Sequence, residues 1–216
     1  MNDDLTLDEL RDRLAPEIAA NAAFDGWSDE AVTMAAEANG VDPGVARLAF
    51  PGGAVDMIDA WFASIDRAMG GALPPETLAA MKVRARIAGL VEARLAVAAP
   101  DREALRRAVA VLALPQNLAR AARLGWRTVD TIWRAAGDTA VDYNHYTKRA
   151  ILLGVYGATV AVFLDDESEG HADTRAFLAR RIDGIMAFEK TKAQMLRTDR
   201  LPSLSRFIGR LRYPAV

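Results

Sequence analysis

Few side chains in this 216-residue chain stand at spacings that could do chemistry. Its two histidines are His145 and His171. His145 makes a D-x-x-H step with Asp142, which sets a carboxylate and an imidazole on one helix face. A di-iron bundle needs two Glu/His pairs of that kind and further carboxylates, and the sequence has no second copy. His171 lies in the acidic loop DDESEGH at 165–171, where it is expected to face solvent. No GxSxG, P-loop or GxGxxG occurs. Cysteine is absent, which removes disulfides, thiolate zinc sites and cysteine nucleophiles. The expectation is a protein that is not an enzyme and uses no metal or cofactor.

The unusual stretch is GDTAVDYNHYTKRAILLGVY at 137–156. It brings together carboxylates, three rings (Tyr143, His145, Tyr146) and two cations, then becomes apolar. One reading is a helix start capped by Asp138 or Asp142, with solvated cations and a core shaft from Ala150. The other is a docking patch, since exposed rings beside Arg are the composition of interface hot spots. Gly154 and Gly157 in the shaft would leave side-chain volume missing from a core, and a narrow apolar cavity is expected there.

The elements that must hold this stretch are helical. Ala and Leu dominate and no run alternates as a strand would, so the fold class is all-α. Leu7, Leu10, Leu14 and Ile18 make residues 7–24 amphipathic. Ser28 caps a helix that stops at Gly40, and Asp42 caps a short helix with Pro43 in its first position. A longer helix follows and ends at Gly70–Gly71. This order is a helix-turn-helix layout. Longer helices are expected over 76–98, 101–113, 116–136, 142–164 and 172–197. The fifteen uncharged residues at 150–164 fall short of the ~18–20 that a spanning helix needs, so a buried central helix is expected.

Charge is divided unevenly. Residues 1–66 carry 14 acidic residues against 3 Arg, a net of −11; with −2 for the whole chain, residues 67–216 carry +9. The second helix of the helix-turn-helix has one cation, Arg47, and no Asn, Gln, Lys, Ser or Thr. So acidic a module repels phosphate over a Debye length of ~10 Å, which argues against nucleic acid as a partner. The start MNDDLTLDEL lacks the order of a signal or transit peptide, so a cytoplasmic location is expected. A composition rich in Arg and Ala fits a bacterial gene. The last segment sets Leu201, Leu204, Phe207, Ile208 and Leu211 in one stripe opposite Arg206 and Arg210. Such a helix either seats reversibly on an anionic membrane or docks on its own domain.

The segment 132–182 resembles the coenzyme Q biosynthesis protein nine family. The likeness rests on Gly137–Asp138, Asp142, Asn144, the Tyr146–Thr147–Lys148–Arg149 run, Tyr156, Thr159 and Thr174–Phe177–Leu178. The family pattern has Trp at His145 and Phe at Tyr143. The resemblance implies a fold like that of TetR regulators: a degenerate helix-turn-helix module (1–70), a helical lipid-binding domain (71–197) and a membrane-interface helix (198–216). It implies an accessory role in ubiquinone synthesis, holding a phospholipid or polyisoprenoid quinone intermediate and presenting it to the di-iron demethoxyubiquinone hydroxylase. The docking patch carried over is Asp142, Asn144, His145, Tyr146 and Arg149. Lipid would line against Trp126, Val129 and Trp133 on one helix. On the next it would meet Leu152, Leu153, Val155, Tyr156, Thr159, Val160 and Phe163. By analogy with TetR domains, a homodimer would pair through 142–164 and 172–197. The alternative is a TetR-type transcriptional regulator binding DNA and a hydrophobic ligand.

Overall fold

The computed structural model describes residues 5–139 and 143–197, with side chains over 5–139 and 145–184. Every described regular element is a helix. The chain forms two compact units, Met1–Leu178 and Ala179–Val216.

The first unit opens with α1 (Leu7–Asp25), started by a capping box in which Thr6 and Glu9 bond each other's backbone amides. Leu10, Leu14 and Ile18 are buried as their spacing requires, while Leu7 is exposed. Ser28 caps α2 (Asp29–Ala38), and Asp42 caps α3 (Pro43–Leu48) with Pro43 in its first turn. These are the caps expected from sequence. Gly26 and Gly40 turn the chain with φ of 72° and 64°, a region where a Cβ is penalised.

The next helix, α4 (Ala54–Ala72), runs through Gly70–Gly71 rather than stopping there. It ends at Leu73, which Pro74 forces out of the helical region. On one side α4 packs on α1, and on the other it packs on α6 (Val83–Ala98) and α8 (Leu118–Ala135). Trp27 and Trp61 pack 5.4 Å apart in the front core. The Trp27 indole donates to the carbonyl of Ala104 in α7 (Arg102–Leu112).

The single helix expected over 76–98 is divided into α5 (Pro75–Ala79) and α6. Arg86 stabilises the break: its guanidinium donates to the carbonyls of Ala79 and Met81, supplying partners that a continuous helix would have given internally, and to that of Ala136 at the end of α8. The remaining helices are α9 (Tyr143–Asp165), packed on α8, and α10 (Ala172–Arg197). Of these, α10 starts within the first unit and continues into the second.

Candidate functional site

The start of α9 is held by ion pairs that recruit α8. Arg149 is 1% exposed, not the exposed cation that a docking patch was expected to present. Its Nε donates to Asp130 at 2.6 Å and its Nη1 to Asp138 at 3.1 Å, with a further bond to the carbonyl of His145. A guanidinium of that reach can engage two carboxylates only where both are brought to it, so burial follows from the pairing. Lys148 donates to the other oxygen of Asp138 at 2.8 Å and lies over the Trp133 ring at 5.4 Å. The Trp133 indole in turn donates to the carbonyl of Lys148. Burial opposes ionisation of Asp138, but hydrogen bonds and charge from Lys148 and Arg149 hold its carboxyl below the ordinary range. Asp138 thus serves as the anion of this lock rather than as a simple cap.

On the outer side of the lock the rings come together. Tyr146 is 61% exposed, stacked on Trp126 of α8 at 6.1 Å and met edge-on by His145 at 5.1 Å. Gly125 lets the helices approach: a Cβ there would lie 2.8 Å from Leu153 Cδ1. Beside Trp126 is an open depression of about 520 Å³ lined by Ala122, Arg123, Trp126, Arg127 and Asp130. Of the expected docking residues, His145, Tyr146 and Arg149 are therefore adjacent, Arg149 beneath the other two. Asp142 and the Asn144 side chain lie outside the described residues, as do Leu201, Leu204, Phe207, Ile208 and Leu211.

The residues expected to line a lipid site divide by depth. Val129, Leu152, Thr159, Val160 and Phe163 are buried, while Trp126, Trp133, Leu153, Val155 and Tyr156 are half-buried. Thr159 spends its hydroxyl on the carbonyl of Val155. Gly154 and Gly157 do not vacate core volume as expected, because they lie on the exposed face of α9 with nothing within 4 Å of an added Cβ. By length and composition His145–Asp165 could cross a membrane, a longer span than the uncharged run suggests. Here its Leu152, Phe163 and Leu164 are core residues and its Arg149 is ion-paired within protein.

Sequence reasoning missed a polar cluster where α4, α6, α8 and α9 meet. Arg94, 1% exposed, donates to Asp66 at 2.8 Å, to the Tyr156 hydroxyl at 2.5 Å and to Thr128 at 3.4 Å. Its guanidinium also lies over the Phe62 and Tyr156 rings. Burial disfavours its charge, but attraction by Tyr156 and Asp66 outweighs this and raises its pKa; burial chiefly raises that of Tyr156. The available signal was its register: Ile87, Leu90, Val91, Arg94, Leu95 and Ala98 share one buried stripe.

The acidic loop is likewise built rather than loose. Asp166 accepts from the backbone and hydroxyl of both Ser168 and Thr174. Those bonds outweigh burial and hold its pKa well below the usual range. The His171 ring packs edge-on against Phe163 at 4.8 Å with Nδ1 buried, contrary to the expected solvent-facing side chain.

Comparison with known proteins finds relatives over the α8–α10 part of the chain. The COQ9 family model matches residues 118–189, from the start of α8 into α10. The rat mitochondrial ubiquinone biosynthesis protein COQ9 is 40% identical over 108 residues, covering 50% of this chain and 35% of that protein. The Drosophila melanogaster protein of the same name is 28% identical over 192 residues, 87% of this chain and 59% of the relative. The matched stretch is thus about a third of the rat protein's length. Among solved structures, the TetR transcriptional regulator from Nitrosomonas europaea ATCC 19718 superimposes with a TM-score of 0.66 at 25% identity. That match covers 82% of this chain and 98% of the regulator. Residues 118–189 are thus similar to the COQ9 family of ubiquinone biosynthesis proteins, and the described residues have a TetR-like, all-α fold.

Proposed function

We propose that this protein is a non-catalytic accessory of ubiquinone synthesis that shelters a phospholipid or polyisoprenoid quinone intermediate and presents it to the di-iron demethoxyubiquinone hydroxylase. Residues 1–70 are a helix-turn-helix module that no longer reads DNA. Residues 71–197 hold the lipid among the apolar side chains of α8 and α9, and 198–216 seat the protein on the cytoplasmic face of a bacterial inner membrane. A polyprenyl tail costs about 0.8 kcal/mol per CH₂ exposed to water, so an apolar shelter beside the bilayer lowers the barrier to extraction.

The observation that carries this reading is the Tyr146–His145–Trp126 ring cluster, in which Tyr146 is exposed, seated on the Arg149–Asp130–Asp138 lock. Rigid rings at a surface are what a protein interface uses as anchors. The exposed face of α9 at Ala150, Gly154 and Ala158 supports pairing with a second copy through this helix. The test is binding of the purified hydroxylase by calorimetry together with organic extraction of the purified protein. Saturable binding that Tyr146→Ala weakens at least tenfold, with lipid or quinone in the extract, is expected. Unchanged binding after Tyr146→Ala, or a reproducibly empty extract, would overturn the reading.

The second reading, a TetR-type regulator, is favoured by the retained helix-turn-helix order and the fold match. Against it, α3 has six residues, and its cation Arg47 donates to Thr33 on α2 at 2.8 Å. Val45 and Leu48 are its exposed apolar side chains, and they offer no donor to a base edge. Recovery of a preferred palindrome from genomic DNA at physiological salt would establish the regulator instead.

A further inference from the structure

We propose that the outward face of α2 and α3, the face that a helix-turn-helix turns to DNA, is here a docking surface for a cationic amphipathic helix of a partner protein. The proposal goes beyond the lipid-presenting reading and does not depend on it.

The same pattern stands on both helices. On α2, Glu30, Met34 and Glu37 occupy positions i, i+4 and i+7, and all three are exposed. On α3 the exposed row is the cap Asp42, then Val45 and Leu48 at three-residue steps. Met34 and Val45 are 44% exposed and Leu48 64%. The Arg47 guanidinium donates to the Thr33 hydroxyl at 2.8 Å, so α3 is tied to α2 one residue from Leu48 and one from Met34. A singly exposed apolar side chain is ordinary, but three on adjoining helices, each in step with carboxylates, mark an interaction site.

The carboxylates of this module fall into two groups. Asp56, Asp59 and Asp66 of α4 are spent on Arg120, Arg127 and Arg94, and Asp12 of α1 on Arg67. Glu30, Glu37 and Asp42 form no ion pair among the described residues. Arg47 is the one cation in the sequence of the two helices. Part of the −11 carried by residues 1–66 therefore stands uncompensated on this face. Such a face repels the phosphates of nucleic acid and of an anionic bilayer. It is complementary to Lys and Arg.

The face is also preformed. Ser28 and Asp42 cap the two helices, Gly40 turns the chain between them with φ of 64°, and the Trp27 indole fastens the start of α2 to Ala104 of α7. A surface built before binding loses little entropy when it is occupied. At ~1.5 Å per residue, Glu30 to Glu37 spans about 10 Å, which matches about two turns of a helix laid along it. The occupant that answers both features has apolar side chains for Met34, Val45 and Leu48 on one side. Lys or Arg beside them meets the three carboxylates.

The test uses the full chain and a fluorescein-labelled synthetic amphipathic helix of Leu and Lys, with a scrambled peptide of identical composition as control. Anisotropy titrations at low and high salt give affinities, and amide NMR shifts locate the contact. The variants are Leu48→Ser, Glu37→Lys and, on the loop after α9, Glu167→Lys; circular dichroism and thermal melts check that each folds. The amphipathic peptide is expected to bind at least tenfold more tightly than the scrambled one and to shift amides of α2 and α3. Leu48→Ser, which leaves the net charge unchanged, should weaken binding at least fivefold. Glu37→Lys should do the same and flatten the salt dependence, while Glu167→Lys stays within twofold. Weakening by Glu167→Lys equal to that by Glu37→Lys would make the attraction one of net charge alone and overturn the proposal. Equal affinity for the scrambled peptide, or shifts on α8 and α9 instead, would overturn it as well. If Leu48→Ser halves the mass seen in light scattering and leaves peptide affinity unchanged, the face joins copies of this chain and the proposal is wrong. If duplex DNA shifts the same α2 and α3 amides at physiological salt, the face reads nucleic acid and the proposal likewise fails.

Discussion

The Arg149 guanidinium bridges Asp130 on α8 to Asp138 at the end of the turn after it, so that the first turns of α9 are oriented by one buried cation. Removing the cation takes the buried partner from both carboxylates and leaves Asp138 to Lys148 and Asp130 to Arg134, two more exposed cations. Breaking a buried pair in this way costs about 3–5 kcal/mol. Arg149→Met is expected to destabilise by that order in urea titration. Arg149→Lys should fall between, because an ammonium cannot match the two-carboxylate fork.

The Arg94–Asp66 pair offers a test of how a buried charge is tolerated. Asp66→Ala leaves Arg94 at 1% exposure with only neutral partners, and a loss of about 3 kcal/mol or more is expected. The double variant Asp66→Ala/Arg94→Met removes both charges and should recover much of that loss. A double-mutant cycle by chemical denaturation reads the coupling directly.

Acid sensitivity should centre on Asp166 and Asp138, whose carboxyls lie below their ordinary range. A depressed folded-state pKa contributes stability that is complete above the unfolded value of ~3.9. It is lost as pH falls from there through the folded-state value. Thermal melts between pH 7 and 2 are expected to show Tm falling below about pH 4. Asp166→Asn should start lower at pH 7 and fall less steeply through that range.

Gly154 faces open space in mid-helix, so Gly154→Ala is expected to raise stability by about 0.5–1 kcal/mol through backbone entropy alone. Gly154→Trp should lower the apparent mass in light scattering if this face pairs with a second copy. An unchanged mass would place any pairing elsewhere.

Much of the fold was legible before any coordinates, and the reasons are local. Ser28 and Asp42 announce their helices because a cap is chosen by the residues within one turn of it. The helix-turn-helix order, the α9 span and the 172–197 helix follow from apolar spacing and breakers of the same short range. The break between α5 and α6 was not legible, because Arg86 secures it from further along α6 and ties it to Ala136. The candidate site was half legible. Its rings and cations stood out by type, yet Arg149 sits beneath them rather than among them.

The linear order of residues alone determined the all-α class, the unequal division of charge and the family likeness carried by 137–149. Each depends on composition or on neighbours in the chain. Only the tertiary structure decided which charges are buried and which rings meet. Arg94 finds Asp66 across 28 positions and Trp126 finds Tyr146 from the preceding helix. Whether a guanidinium is solvated or locked depends on the carboxylates that packing brings within ~3 Å, and periodicity along the chain holds no record of that distance.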